Sequence, residues 1–241
     1  MKAGNSSMNR ILRYVALHGI HIIKALIISF FSISVFFAIC FSFLHPRRTP
    51  LMVKRHFQFK EQQKEMAIQY QWVPLKKISP HMWQAVIAAE DNRFMTHFGI
   101  DLGAIKKAQE FNKKSTRRKR GASTISQQTA KNVFLWPART YLRKGFEVYF
   151  TVLIETFWSK KRIMEMYLNV IEMGPGVYGV EAASRKYFNK PAYKLTRGQA
   201  AMIAITLPNP LKRNPAAPSA YMYRRQEEIL SLMWKLGKID L

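Results

Sequence analysis

The sequence has one cysteine in 241 residues, and only 14 acidic residues against 39 lysines and arginines. With Cys40 alone, the chain can form neither an internal disulfide nor a Cys-x-x-Cys metal site, which argues against a small disulfide-stapled extracellular module. The formal net charge is +25. Such a surface attracts polyanions: nucleic acid, anionic lipid headgroups or phosphorylated substrates.

Residues 25–44 form an uncharged apolar run of 20 residues. A helix rises about 1.5 Å per residue and the bilayer core is about 30 Å thick, so the run is long enough to span it. A cleaved signal peptide has a shorter apolar run and a small-x-small site, which Leu44-His45-Pro46 does not provide. A buried core helix is disfavoured because the run has no polar face. We therefore predict an uncleaved membrane anchor.

The orientation of this anchor is not decided by charge. Four basic residues and no acidic one precede the span, which favours a cytoplasmic N-terminus. Four more basic residues follow it closely: Arg47, Arg48, Lys54 and Arg55. From His45 onward the chain carries 35 of the 39 basic residues and all 14 acids, a balance of +21. Beside a membrane anchor, that balance favours lipid headgroups or phosphorylated substrates over nucleic acid.

The remaining sequence has a predominantly helical pattern. Residues 46–80 resemble a connector that prolines interrupt, with short extended pieces such as Ile68–Val73. The basic stretch 113–120 predicts an extended, mobile loop that either is simply solvated or meets lipid headgroups or a phosphorylated ligand. Helices are predicted over His81–Asp91, Ser123–Phe134, Thr140–Trp158, Lys160–Met173, Gly179–Tyr187, Thr196–Thr206 and Ala220–Gly237.

Several common catalytic signatures are missing. The sequence contains no Walker A loop, no His-Glu-x-x-His, and neither the Ser-x-x-Lys nor the Lys-Thr-Gly of penicillin-binding transpeptidases. The segment 174–179 fits G-x-G-x-x-G, but it follows a predicted helix and has no acidic residue about 20 positions later. We interpret Gly174-Pro175-Gly176 as a turn that ends the preceding helix.

Two glutamates are candidates for chemistry. Glu90 shares one helix face with Trp83, Val86 and Ile87, and partial desolvation there makes a carboxylate a better base near neutral pH. Its alternative role is an ion pair with Arg93 or with another basic side chain. Glu147 follows Arg143 and Lys144 by four and three residues, so these cations either form a positive lip beside it or make ordinary helical ion pairs.

The segment Gly121–Asn132 separates the two glutamates. Ser123 and Thr124 predict a helix N-cap, and free N–H groups at a helix N-terminus bind anions. Gln128 and Lys131 fall on one face of this helix, where they are candidates for binding a polar ligand.

Together these segments resemble the peptidoglycan glycosyltransferases, glycosyltransferase family 51, over about residues 78–218. The first motif is E-D-x-x-F-x-x-H-x-G-hydrophobic-D at 90–101, and the second is G-x-S-T-I-x-Q-Q-x-x-K-N at 121–132. Arg143-Lys144-x-x-Glu147 and the segment 161–169 resemble the third and fourth motifs. Tyr187-Phe188 and Leu207-Pro208-Asn209-Pro210 complete the series. Without a transpeptidase signature, the chain is most similar to the monofunctional members.

The resemblance implies a mainly α, lysozyme-like fold with head and jaw lobes behind one N-terminal transmembrane helix. The expected divisions are 1–24 cytoplasmic tail, 25–44 anchor, 45–77 connector, 78–218 glycosyltransferase domain and 219–241 C-terminal helix packed on the domain. The enzyme is expected in the bacterial cytoplasmic membrane, with its N-terminus inside and its catalytic domain outside. Expected partners are lipid II, the growing glycan strand, membrane lipids and cell-wall synthesis proteins, but not nucleic acid.

The resemblance also implies roles for individual residues. Lipid II is polymerised with inversion, Glu90 is the base, and Glu147 assists the leaving pyrophosphate or holds a divalent cation, Mg²⁺ or Mn²⁺. No other metal site or cofactor is implied. The remaining residues are expected to bind or position substrate: Asp91, Phe94, His97, Thr124, Gln128, Lys131, Arg143 and Lys144.

Two other classes of function compete with this one. A lysozyme-like lytic enzyme would share the fold and a catalytic glutamate, but the clustered Arg143 and Lys144 and the anchor favour a phosphorylated lipid donor. A non-enzymatic basic membrane protein that binds nucleic acid or anionic lipid would need neither glutamate.

Overall fold

The computed structural model describes residues 3–62, 67–115, 121–138 and 140–241, with only the backbone described for 3–17. The chain divides after Leu44 into two units. The first unit is one long helix, α1 (Ala3–Phe43). Its segment His18–Phe43 has a mean hydropathy of 2.4 and is long and apolar enough to cross a membrane. The predicted span lies within this segment except for Leu44.

The second unit, His45–Leu241, is mostly helical, which confirms the predicted fold class. Its helices are α2 (Pro50–Glu61), α3 (Pro80–Glu90), α4 (Leu102–Lys114), α5 (Ile125–Phe134), α6 (Tyr141–Phe157), α7 (Lys160–Val170), α8 (Val180–Phe188), α9 (Arg197–Thr206) and α10 (Ala220–Leu236). Short strands lie at β1 (Gln69–Tyr70), β2 (Glu172–Gly174) and β3 (Val177–Tyr178), in the sheet order β1-β3-β2.

Two helices were missed from the sequence. Helix α2 begins at Pro50 after the N-cap Thr49, so a proline that was expected to interrupt a connector occupies the first turn of a helix. Helix α4 begins after Asp101, whose side chain accepts a hydrogen bond from the Ala104 N–H. It includes Lys113 and Lys114, so that part of the predicted basic loop is helical, whereas residues 116–120 lie outside the described residues.

The end of α7 was also predicted wrongly. The helix stops at Val170, and Gly174 ends β2, so that Pro175-Gly176 is the turn of the hairpin formed by β2 and β3. A Cβ at Gly174 would overlap the Tyr187 hydroxyl at 1.8 Å. Gly179 has φ +79° and lies against the backbone of Asn169. These glycines therefore permit close packing and do not form a phosphate-binding loop.

The core brings the ends of α3 and α5 together. Helix α3 packs against α9 and α10, and α5 packs against α6 and α7. Alanines at 200, 201 and 204 of α9 are fully buried, and such small side chains allow neighbouring helices to approach closely. The C-terminus of α3 thereby meets the N-terminus of α5, where most of the predicted site residues lie.

Candidate active site

Glu90 is the last residue of α3, and its two carboxylate oxygens differ in their hydrogen bonding. Oε2 accepts a hydrogen bond of 2.8 Å from Nε2 of Gln128, while Oε1 has no hydrogen bond among the described residues. The predicted alternative, an ion pair with Arg93, does not occur because Arg93 pairs with Asp101 at 3.3 Å. Glu90 therefore has an oxygen available for a ligand.

The orientation of Gln128 is set by a buried tyrosine. The Tyr167 hydroxyl donates to Oε1 of Gln128 at 3.2 Å, which leaves the amide NH₂ directed at Glu90. Tyr167 is fully buried in α7. The chain Tyr167–Gln128–Glu90 thus holds the carboxylate through two successive hydrogen bonds.

The pKa of Glu90 is raised above its usual value, mainly by burial. The Gln128 hydrogen bond, and then the charges of Arg213 and Arg225, lower this pKa in part, while Asp91 raises it. A raised pKa makes the carboxylate a stronger base, as the sequence pattern predicted.

Asp91 and His97 join α3 to α5. His97 Nε2 lies 2.9 Å from both oxygens of Asp91, and Oδ2 also accepts the Ile125 N–H at 3.0 Å. The predicted anion-binding N-terminus of α5 therefore already holds the Asp91 carboxylate. Burial raises the pKa of Asp91, and these hydrogen bonds lower it in part. These contacts fix the end of α3, where Glu90 is the neighbour of Asp91 in the chain.

Thr124 and Phe94 also serve the scaffold. Thr124 is the predicted N-cap: its hydroxyl accepts the Gln127 N–H at 3.1 Å and donates to the Gly99 carbonyl. Phe94 is fully buried under Lys160, whose Nζ lies 4.7 Å from the ring centroid. The side chains of Phe94, His97 and Thr124 are buried. Nδ1 of His97 nevertheless has no hydrogen-bond partner among the described residues, and Thr124 lines a small cavity with Glu90 and Asp91. Their expected contact with substrate stays a prediction.

Glu147 differs from Glu90 because both of its oxygens are paired. Oε2 accepts from Nη1 of Arg143 and Oε1 accepts from Nζ of Lys144, and only 3% of the residue is exposed. Arg143 and Lys144 are half-buried, and they cover the carboxylate as the sequence spacing predicted. Nε of Arg143 is buried with no hydrogen-bond partner among the described residues. An acceptor supplied by a ligand would satisfy it.

Lys131 lies between the two glutamates. Burial lowers the pKa of its ammonium, and the charges of Glu147 and Glu90 both raise it. The ammonium forms no ion pair with any described residue. An unpaired, largely buried cation between two carboxylates is suited to receive a ligand anion.

Two large cavities flank this group. The Glu90 cavity, about 780 Å³, is lined by Glu90, by Arg213 of the segment after α9, and by residues of α9 and α10 that include Arg224 and Arg225. The Lys131 cavity, about 680 Å³, contains Gln128, Lys131 and Arg143. Pro208 borders both. Glu90 lines the first, whereas Glu147 lines neither and lies behind its two cations.

The surroundings of Glu147 do not suit a divalent cation. Mg²⁺ and Mn²⁺ prefer several free oxygen ligands, but Arg143 and Lys144 occupy both carboxylate oxygens. Within the described ranges, no three His, Cys, Asp or Glu side chains form a cluster that could hold a metal. The residues present do not fit the ion.

Several residues of the site were not predicted from the sequence. Arg213 and Arg225 influence Glu90 from the segment after α9 and from α10, and Tyr167 acts through Gln128. A cluster of basic residues at 212–225 was the available signal for the arginines. Nothing local in the sequence links Tyr167 to Gln128, because 39 positions separate them.

Comparison with known proteins gives a consistent family. The family model described as Transglycosylase matches residues 58–234. A biosynthetic peptidoglycan transglycosylase of Bacteroides thetaiotaomicron is 53% identical over 226 residues, which cover 94% of this chain and 88% of that protein. A protein of the same description from Bdellovibrio bacteriovorus is 52% identical, over 87% of this chain and 83% of that protein. Another, from Escherichia coli O127:H6, is 56% identical over 69% of this chain and 69% of that protein.

Proposed function

This chain belongs to the transglycosylase family, and we propose that it polymerises lipid II into β-1,4-linked glycan strands. It is a peptidoglycan glycosyltransferase that joins the 4-hydroxyl of an acceptor sugar to the anomeric carbon of a lipid-pyrophosphate donor. The observation that carries the proposal is the position of Glu90, with one free oxygen at a cavity and a cationic cavity on the other side of its partner Gln128.

Glu90 is the general base of this reaction. The acceptor sugar occupies the Glu90 cavity, and Oε1 takes the proton of its 4-hydroxyl as the oxygen attacks the donor carbon. Because configuration inverts, the base and the leaving group lie on opposite faces of the donor sugar. The separation of the Glu90 cavity from the Lys131 cavity supports this arrangement.

The leaving pyrophosphate is received by the cations of the Lys131 cavity. Among the described residues, Lys131 has no ion-pair partner and the buried Nε of Arg143 has no hydrogen-bond partner, so donor oxygens would satisfy both groups. Glu147 keeps Arg143 and Lys144 beside the cavity through its two ion pairs. Its role is to position these cations, and not to attack or accept a proton itself.

The membrane anchor matches the lipid-linked donor. The apolar segment His18–Phe43 holds the enzyme at the cytoplasmic membrane with its catalytic unit on the outer face, where it meets lipid II. The absence of the Ser-x-x-Lys and Lys-Thr-Gly signatures supports glycan polymerisation without peptide cross-linking. Cell-wall synthesis proteins are the expected partners.

Replacing Glu90 by glutamine tests the proposal. Glu90→Gln keeps the size of the side chain but removes its basicity, and loss of a general base costs about 10² to 10⁴ in rate. Labelled lipid II should become polymer with the wild-type protein and remain almost unchanged with the variant. A parallel incubation with finished peptidoglycan measures lytic activity.

Glu181→Gln is the matched control, because Glu181 is a buried carboxylate that pairs with Arg185 in α8. It should retain polymerisation. Polymerisation by Glu90→Gln at the wild-type rate would contradict the assignment of the base, and release of soluble fragments from finished peptidoglycan would favour a lytic enzyme.

A further inference from the structure

Helix α2 brings two basic side chains into the Lys131 cavity. It packs against α5, and Lys54 and Arg55 line the cavity together with Lys131 and Arg143. Nζ of Lys54 donates to the Pro137 carbonyl at 3.1 Å, so it reaches across to the chain that follows α5. The segment expected to be a connector therefore forms one wall of the cavity assigned to the leaving group.

Arg55 is held in a fixed orientation by a carboxylate far away in the sequence. Nε and Nη2 of Arg55 donate to the two oxygens of Glu172 at 3.2 and 3.3 Å, and Nη1 donates to Oε1 of Gln58 at 3.0 Å. The Tyr178 hydroxyl donates to Glu172 at 3.2 Å. Because the contact has two points, the guanidinium cannot rotate without breaking it.

The pairing leaves Arg55 with capacity for another acceptor. A guanidinium has five N–H donors, of which these contacts use three. About 24% of the side chain is exposed. Two N–H groups therefore remain for a molecule that enters the cavity.

The side chains that line the Lys131 cavity carry a net positive charge, which favours binding of an anion. Lys54, Arg55, Lys131 and Arg143 line it, and Glu172 is the one carboxylate among the residues described as its lining. Burial raises the pKa of Glu172, while the charge of Arg55 and, more weakly, that of Lys131 lower it. Glu172 thus interacts with both cations, and Glu147 pairs with Arg143 from behind the cavity, so the four positive charges still exceed the negative ones.

We propose that Arg55, oriented by Glu172, binds phosphate oxygens of the lipid-pyrophosphate donor, so that α2 is part of the donor site. The identity of the donor rests on the proposed function. Arg55 is a binding residue, and Glu172 is a positioning residue that acts through it. The step is binding alone, and no bond forms or breaks at either residue.

The test uses the full chain in nonionic detergent and compares Arg55→Gln with Arg185→Gln. Arg185 is also paired with a buried glutamate, Glu181, but it lies on α8, so both variants lose one positive charge. Affinity is measured with a polyprenyl pyrophosphate as the probe. Loss of a charge-assisted hydrogen bond should weaken binding about tenfold or more in Arg55→Gln, and Arg185→Gln should bind like the wild type.

Steady-state kinetics with lipid II distinguish a loss of donor binding from a general structural defect of the variant. Arg55→Gln should raise KM with kcat changed little, because Arg55 contacts the donor before and during transfer alike. Glu172→Gln should raise KM less, since the arginine remains but is no longer held, and Glu181→Gln should leave KM unchanged. Arg55→Lys keeps the charge but loses the two-point contact, so its KM should fall between those of Arg55→Gln and the wild type.

The thermal unfolding of each variant is recorded to show that it folds. If Arg55→Gln does not fold, the probe affinity and KM of Arg55→Lys are compared with those of Arg185→Gln instead. Equal probe affinity and KM in the Arg55 variant and Arg185→Gln would overturn the inference while leaving lipid II polymerisation by the wild type intact. An affinity loss seen only with phosphatidylglycerol vesicles would also overturn it, in favour of a phospholipid headgroup. If the wild type binds the probe through Arg55 but makes no polymer, the binding role stands and the proposed function fails.

Discussion

At the scale of single residues, two glutamates of one site have different environments. One oxygen of Glu90 accepts no hydrogen bond from the part of the chain that the structure describes, and burial raises the pKa of Glu90, whereas Glu147 has a cation on each oxygen. A carboxylate with a free oxygen and a raised pKa can accept a proton, and one fully paired with cations can hold those cations in place. The difference in pairing supports the roles proposed for them, with Glu90 as the base and Glu147 as the residue that positions two cations.

The hydrogen bond from Gln128 predicts a shift in the pH profile. As the proposed base, Glu90 must be deprotonated to act, so activity is expected to fall as the pH drops through the pKa of Glu90. Gln128→Leu removes the largest influence that lowers this pKa. The acidic limb of kcat/KM should therefore move to higher pH, and the profile measured with lipid II checks it.

Gln226→Leu is the control for this experiment. Gln226 donates to the Gly198 carbonyl at 2.8 Å and ties α10 to α9 without touching Glu90. Its acidic limb should match that of the wild type. An acidic limb that stays in place, or moves to lower pH, in Gln128→Leu would show that the hydrogen bond does not tune Glu90.

At the scale of elements, the site depends on the junction between α3 and α5. Asp91 ends one helix, accepts the first N–H of the other and pairs with His97. The acceptor on Glu90 and the cation on Lys131 lie on these two helices, so the junction sets their separation. The distance between the Glu90 carboxylate and the Lys131 ammonium therefore depends on the helix pair as well as on the two side chains.

Asp91→Asn should destabilise the second unit. The substitution removes the negative charge that two buried donors share, and hydrogen bonds to a charged group contribute about 1.5 to 3 kcal/mol each. We expect a loss of about 1 to 3 kcal/mol in the free energy of unfolding. Chemical or thermal denaturation of the full chain measures it.

Asp101→Asn provides a matched comparison, because Asp101 caps α4 and asparagine is about as good an N-cap as aspartate. It should lose less than about 1 kcal/mol. If both substitutions cost the same, the Asp91 junction does not have the stabilising role argued for it.

At the scale of the whole molecule, an apolar helix and a basic catalytic unit serve one substrate. The residues from His45 onward have a balance of +21, and they follow a segment long enough to span a bilayer. A membrane-held enzyme meets a membrane-held donor in two dimensions, which raises the frequency of encounter. Anionic headgroups add attraction for the basic surface.

Removing residues 1–44 should therefore distinguish the catalytic step from the encounter of enzyme and donor in the membrane. The deletion leaves the second unit, which has its own core and contains both cavities. We expect activity in detergent to be reduced but retained, and activity on lipid II in vesicles to fall further. Full activity in vesicles without the anchor would contradict its role in bringing enzyme and donor together.

The sequence by itself determined the apolar span, the helical class and the order of the motifs, because hydropathy and helical periodicity are local properties. It also placed Arg143 and Lys144 next to Glu147, since residues three and four apart meet on a helix. Only the tertiary structure decided that Gln128 reaches Glu90, that Asp91 fills the N-terminus of α5, and that Arg55 pairs with Glu172 across 117 positions. Such contacts depend on how helices pack, and packing joins residues whose sequence separation carries no periodic signal.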